Sequence, residues 1–330
     1  AEPPGERFLG LWLSPHFPSV AVVPELYRED VRNGARHAVR VVAFPDGTDW
    51  YDFLQEELGS LGASPRIAVD EALPAGHLLH LQSRLPAAKW FSAAPIMQQL
   101  RAVKSPDEVA MLQKSAAMAD RVYAHILPHI RAGITERDLE ASILRYFAEE
   151  GADTSWAIVA FGANSSMPHH RSDTTRLQPG MIVVLDLGGS RDGYQSDITR
   201  TLATGTPDPE MDTAYGIVYQ AHMAVVQGAR PGMRCCDVDR LAREIIEDAG
   251  YGKWFIHRTG HGIGLSTHEP PNLSADDTTV LQPGMCFSNE PGIYLPGRFG
   301  VRIENIITIE GEGAKSLNVA PPPTLPVLEI

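Results

Sequence analysis

Leu177-Gln178-Pro179-Gly180-Met181 opens the run LQPGMIVVLDLGGSRDGYQSDITRTLA (residues 177–203), and 104 residues later Leu281-Gln282-Pro283-Gly284-Met285 opens LQPGMCFSNEPGIYLPGRFGVRIENIITI (residues 281–309). Each run reads as a turn, an apolar strand, a second turn and a returning strand. The seventh residue after the proline is an acid in both, Asp186 in the first and Glu290 in the second. Asp192-Gly193 is a hairpin turn signal that is expected to bring Asp197 across from Asp186; Pro296-Gly297 likewise sets Glu304 across from Glu290. Upstream the likeness continues, since Arg131-Ala132-Gly133, Asp138 and Gly151 recur 99 residues later as Arg230-Pro231-Gly232, Asp237 and Gly250. Residues 105–330 therefore read as two related halves around one core.

Facing carboxylates repel, and in apolar surroundings they must share protons or bind cations. Four of them point to metal, and more carboxylates than one ion needs suggest two ions. An imidazole beside oxygen ligands suits Mn²⁺, Co²⁺ or Zn²⁺. Five of the twelve histidines supply that imidazole from two short segments, Met167–His170 and His257–His268. The glycines around His261 (Gly260, Gly262, Gly264) have no following Lys and make a poor phosphate cradle.

Working outward, Ser105-Pro106-Asp107-Glu108 is a capping box with proline at the first helical position, so a long helix is expected from there. Residues 1–102 mix short β-rich runs such as Val39 to Phe44 with a helical stretch from Asp49 to Leu61, a small α/β domain without a chemical motif. His16, His37, His77 and His80 lack ligand-like spacing. The expected organisation is α/β throughout, with domains at 1–102 and 105–330. A formal net charge of -13 argues against nucleic-acid phosphates and anionic membranes as partners. No apolar run approaches the ~18 residues of a membrane span, and the opening AEPPGERF lacks the parts of a signal peptide. Three cysteines, two of them adjacent (Cys235, Cys236), give no disulfide framework, so a reducing cytoplasm is expected.

The motifs SMPHH, VVLDLGG, DGYQSDITR, HRTGHGIGLSTHE, SNEPGIY and GVRIEN stand in this order over residues 105–330. They resemble the pita-bread metallopeptidases that cleave beside proline, aminopeptidase P and prolidase, with methionine aminopeptidases more distant. The first domain resembles that family's N-terminal domain loosely and looks short at its start. The resemblance implies a pita-bread fold with a pseudo-two-fold repeat, two divalent metal ions per chain (Mn²⁺ foremost) and a homodimer. It makes Asp186, Asp197, His261, Glu290 and Glu304 the metal ligands, with Asp197 and Glu304 bridging, and Glu290 also a proton shuttle. Further, it makes His169 and His268 catalytic, the first bonding substrate near the scissile bond and the second stabilising the oxyanion. His257 is expected to line the proline pocket, and Arg302 to belong to the substrate side as a partner of the ligand carboxylates. His170 has no family role and reads as a bystander.

The residues are compatible with three functions. The leading expectation is an Xaa-Pro aminopeptidase that acts on peptides with proline in second position. The alternative is an Xaa-Pro dipeptidase, or prolidase, which must neutralise a terminal carboxylate. A remote third is a pita-bread binding module without metal. Prolidases resembling this chain carry an Arg between the second histidine and the second LQPGM turn, whereas His268 to Gln282 contains no Lys or Arg and does contain Glu269, Asp276 and Asp277. Arg171 and Arg298 are other possible sources of the cation.

Overall fold

The protein is described from a computed structural model covering residues 7–35, 37–58 and 63–330. It divides into two compact units, Ala1–Met97 and Gln98–Ile330.

In the first unit, β1 (Gly10–Trp12) pairs antiparallel with β2 (Val20–Pro24), and β2 pairs parallel with β3 (Arg40–Phe44). The β2-to-β3 crossover carries helix α1 (Arg28–Gly34). Helix α2 (Trp50–Leu58) follows; its expected end near Leu61 lies outside the described residues. Strand β4 (Arg66–Val69), helix α3 (Ala75–Arg84) and strand β5 (Lys89–Ser92) form a second crossover with parallel strands. Val20, Val22, Phe44, Leu54 and Leu81 close this unit's core, where Phe8 stacks on Trp50 at 3.6 Å. Helix α4 (Ala94–Ala102) contains the division between units.

The second unit opens with α5 (Pro106–Ile126). Its cap forms as the sequence requires: Ser105 Oγ accepts from the Glu108 amide while the Glu108 carboxylate accepts from the Ser105 amide. Then come α6 (Glu136–Glu149), β6 (Thr154–Phe161), β7 (Ile182–Arg191), β8 (Tyr194–Gln195) and β9 (Ile198–Thr204). The second half follows in the same order, with α7 (Pro209–Gly228), α8 (Cys235–Asp248), β10 (Gly260–Gly262), β11 (Glu269–Leu273), β12 (Cys286–Asn289), β13 (Gly292–Leu295), β14 (Phe299–Arg302) and β15 (Asn305–Ile309). Strands β16 (Ala314–Ser316) and β17 (Val327–Leu328) finish the chain. One sheet has the order β17-β9-β7-β6, the other β11-β10-β12-β15-β16.

The repeat is visible in the backbone itself. Glycines 133, 151 and 180 have φ of 81°, 78° and 85°, and their counterparts 232, 250 and 284 have 89°, 83° and 90°. A β-carbon is strained at such angles, so these glycines are kept where each half must turn.

Period-two alternation then aims the acids. On β7, Val183, Leu185 and Leu187 pack against Met118, Val122, Ile126, Leu139 and Ile143 of α5 and α6. Asp186 lies on the opposite face, away from the helices. The register corrects one expectation. Asp192 and Gly193 both have positive φ and form the two central residues of the hairpin, so Asp186 pairs with Thr199. Asp197, two residues away, is its diagonal neighbour on the same face. In the second half the expected register holds, for Asn289 pairs with Asn305 and Gly292 with Arg302, and Glu290 and Glu304 lie between those pairs.

Gly260 shows how tightly these strands close. A β-carbon there would sit 1.8 Å from the Ser288 carbonyl oxygen, and one on Gly262 would sit 2.4 Å from that of Glu269. Gly260→Ala should therefore cost about 3 kcal/mol or more, because β10 must move off β12. Gly216→Ala, in the middle of α7 with nothing within 4 Å of the new carbon, should stabilise by about 0.5 to 1 kcal/mol. Urea midpoints of the two variants test the contrast; similar shifts would contradict the packing described.

Candidate metal centre

The two hairpins deliver their acids to one place. Asp186 comes from the middle of β7, Asp197 from the residue before β9, Glu290 from the residue after β12, and Glu304 from the residue before β15. His261 joins them from β10. Ligand atoms of Asp197, His261 and Glu304 lie within 4.8 Å of one another. His261 Nε2 is 3.7 Å from Asp197 Oδ2 and 3.3 Å from Glu290 Oε1. Asp186, Asp197, His261 and Glu304 are buried, and Glu290 is open only at one edge.

Burial pushes the Asp197 and Glu304 carboxyls well above their usual range, and the charges of neighbouring acids push them further. Glu290 is driven up to about 7, again chiefly by burial, although Arg302 pulls it down. Burial, then the charge of His268, pushes His261 down to about 3, so the imidazole is neutral. A neutral imidazole among acids that resist ionisation is the donor set of a cation site. Asp186 Oδ1 and Asp197 Oδ1 are buried with no hydrogen-bond partner. The residues present fit divalent metal.

Arg302 is the cation built into the cluster. Its Nη2 donates to Asp186 Oδ2 at 2.6 Å, its Nε to Thr199 Oγ1 at 2.9 Å and its Nη1 to the Tyr294 hydroxyl at 2.9 Å. Thr199 in turn donates to Glu304 Oε2 at 2.7 Å. One guanidinium thus orients an acid from each half. From Tyr294 the network continues: its hydroxyl donates to His257 Nε2, and His257 Nδ1 donates to the Arg258 carbonyl. Burial pushes His257 down to about 4, consistent with that neutral tautomer.

His268 lies against His261, with ring centroids 4.2 Å apart and the ring planes tilted by 50°. Its pKa is lowered by burial and by the charges of Arg258 and His169. His169 is exposed on its loop, near enough for its charge to act on both His257 and His268. His170 is no bystander to that loop. Its Nε2 meets Glu136 Oε2 at 2.7 Å, and the buried Glu136 carboxylate also accepts from the Phe161 amide, Asn164 Nδ2 and the Asp173 amide. With its acceptor sites filled, that carboxylate is an anchor under the His169 loop.

Several residues here were not legible in the motifs. Thr199, Tyr294 and Asn289 belong to them as letters, but only their contacts give them a task. Ser288 Oγ donates to Glu290 Oε1 while accepting from the His261 amide. His222 of α7 donates from Nδ1 to the Asn289 carbonyl, and Asn289 Nδ2 donates to the His222 carbonyl. This clamps the end of β12, next to Glu290. Arg298, one expected source of a substrate-binding cation, instead pairs with Glu210 at 2.6 Å, and Arg171 is exposed on its loop.

Of the three acids expected to repel a carboxylate, Glu269 is met by cations. Glu269 is buried and takes Lys104 Nζ at 2.8 Å and Arg101 Nη2 at 2.5 Å. Asp277 accepts from the Asn272 and Thr279 amides, and Asp276 from the Ser274 hydroxyl.

Burial and the nearby Arg200 charge push His222 down to about 3. Between the ordinary histidine value near 6.5 and this one, the unfolded chain binds the extra proton, so the stability is intact above 6.5 and is lost as the pH falls. At pH 5 this single group costs about 2 kcal/mol. Urea unfolding at pH 7 and 5 should show a smaller pH-dependent loss for His222→Gln than for the unsubstituted chain; equal losses would refute the assignment.

Residues 110–311 match metallopeptidase family M24, and residues 3–103 match the creatinase/prolidase N-terminal domain. The chain is 38% identical over 320 residues to the "Probable dipeptidase PepE" of Mycobacterium tuberculosis, covering 96% of this chain and 84% of that protein. It is 34% identical over 322 residues to an Xaa-Pro dipeptidase of Lactobacillus helveticus, at 95% and 86% coverage. A prolidase from Thermococcus sibiricus superposes with TM-score 0.94 at 32% identity, over 99% of this chain and 89% of that one. An X-Pro aminopeptidase from Thermotoga maritima gives 0.85 at 28%, over 97% and 90%. Buried acids around a neutral imidazole, in a chain matched along nearly its whole length, lead to one conclusion: this protein belongs to metallopeptidase family M24 and is a peptidase of that family.

Proposed function

We propose that the chain is an Xaa-Pro dipeptidase using two divalent cations, the alternative to the aminopeptidase that the sequence favours. The observation that carries it is the state of Glu269, the anion closest in sequence to His268. Paired with Lys104 and Arg101, it does not oppose a substrate carboxylate. The dipeptidase names of relatives matched over almost the whole chain support the same choice.

In this proposal Asp186, Asp197, His261, Glu290 and Glu304 hold the cations, for which an oxygen-rich donor set favours Mn²⁺. Such cations supply a water acidic enough to react near neutral pH and polarise the scissile carbonyl. Glu290 carries a proton to the proline nitrogen, which must leave as an amine. His268 donates toward the oxygen that gains charge, and His169 holds the substrate near the scissile bond. Neutral His257 forms a wall of the proline pocket together with Tyr294, the ring centroids being 5.4 Å apart. The three thiols Cys235, Cys236 and Cys286 are buried and free, which supports a cytoplasmic setting.

Three measurements test this. Purified enzyme with Mn²⁺ should cleave Xaa-Pro dipeptides faster than Xaa-Pro-Xaa tripeptides; the reverse order makes it an aminopeptidase. Asp197→Asn should lose bound metal by elemental analysis and lose activity together; activity that survives exhaustive chelation would overturn the metal assignment. His268→Ala should lose chiefly kcat, by roughly a hundredfold, and an effect confined to KM would remove it from the oxyanion role.

A further inference from the structure

We propose that Arg258 is the residue that recognises the free carboxylate of a dipeptide substrate, an assignment that rests on the dipeptidase reading. A dipeptide places its carboxylate one residue from the scissile bond, so its receptor must be a cation beside the metal ligands with donors to spare. Arg302 is spent on Asp186, Thr199 and Tyr294. Arg298 is held by Glu210, Arg101 and Lys104 by Glu269, and Arg243 by Asp239.

Arg258 differs from all of these. It immediately follows His257, whose Nδ1 binds its carbonyl, and it precedes His261 by three residues. Its Nη1 donates to Asn272 Oδ1 at 2.6 Å, and Asn272 is the direct cross-strand partner of His261 in the β10–β11 register. Its guanidinium is therefore held beside a ligand strand, and its charge acts on His261, His268 and Glu290. Of its five N–H donors this is the one side-chain hydrogen bond among the described residues, and no carboxylate pairs with it there. Arg258 and Asn272 are both partly exposed, so the remaining donors are open to a ligand. Asn272 lies in the very segment that lacks a Lys or Arg of its own, and it holds a cation from the loop just before β10 by a neutral amide that leaves the charge uncompensated. A fork of guanidinium donors matches a carboxylate in both charge and geometry.

The test compares Xaa-Pro with Xaa-Pro amide, which differ in the carboxylate alone, using the Mn²⁺-loaded enzyme. For the unsubstituted enzyme the free acid should be the better substrate. Arg258→Met should lower kcat/KM on the free acid about ten- to a hundredfold, mainly through KM, while the amide falls less than threefold. Arg258→Lys should restore part of the loss. Asn272→Asp, which keeps the guanidinium but gives it a competing carboxylate, should lower the free acid in the same selective way and weaken competitive inhibition by proline more than by prolinamide. Parallel losses on acid and amide in the Arg258 and Asn272 variants would overturn the assignment while leaving the dipeptidase reading intact. An unsubstituted enzyme with no preference for the free acid would overturn both.

Discussion

Mutual repulsion among Asp186, Asp197, Glu290 and Glu304 is the constraint on which the rest of the structure turns. Two ionised carboxylates 4 Å apart cost about 4 kcal/mol even at an effective dielectric of 20, and three of these four are buried. Arg302 is the compensating charge inside the protein; it contacts Asp186 directly and Glu304 through Thr199. The remainder of the charge must be met by protons or by cations. A site so arranged stores an affinity for divalent metal, because binding removes the repulsion that folding imposed.

Imposing it requires a rigid frame, and the frame is the repeat. Each half packs a helix pair against a sheet, and the pleat turns one acid of each hairpin away from the helices. Paired glycines with matching positive φ make both halves turn at equivalent places. Around this frame, side chains fix what the backbone leaves loose. Glu136 with His170 anchors the His169 loop, Lys104 and Arg101 with Glu269 secure the segment after His268, and His222 clamps the strand end beside Glu290. These anchors lie outside the donor set, so they fix the backbone around the cluster without contributing a ligand atom to it.

Much of this is legible in the amino-acid sequence. The duplicated LQPGM runs and the four acids at matching offsets announced both the repeat and a cation site, and the capping box placed the start of α5. The face opposite the acids could be read because the strand period is two. Less legible was the charge of the 268–282 segment. Glu269 reads as a free anion in the sequence, yet it is ion-paired with residues 165 or more positions away, while the Asp277 carboxylate accepts from two backbone amides. The hairpin register was also misjudged by one diagonal, since turn residues show where a chain reverses more readily than which residues oppose.

The division between the two kinds of knowledge follows from the range of the forces involved. Periodicity, turn chemistry and helix caps act over a few residues, so the amino-acid order by itself determined the elements, the duplicated architecture and the identity of the acids. Neutralisation acts through space. Whether an acid is free, whether Arg298 faces substrate or Glu210, whether His170 is idle, and that Arg258 is held beside His261 by Asn272 are settled by contacts between residues far apart in the chain. Tertiary structure decided those, because an electrostatic partner is chosen by distance and burial, and neither quantity is written in the local sequence.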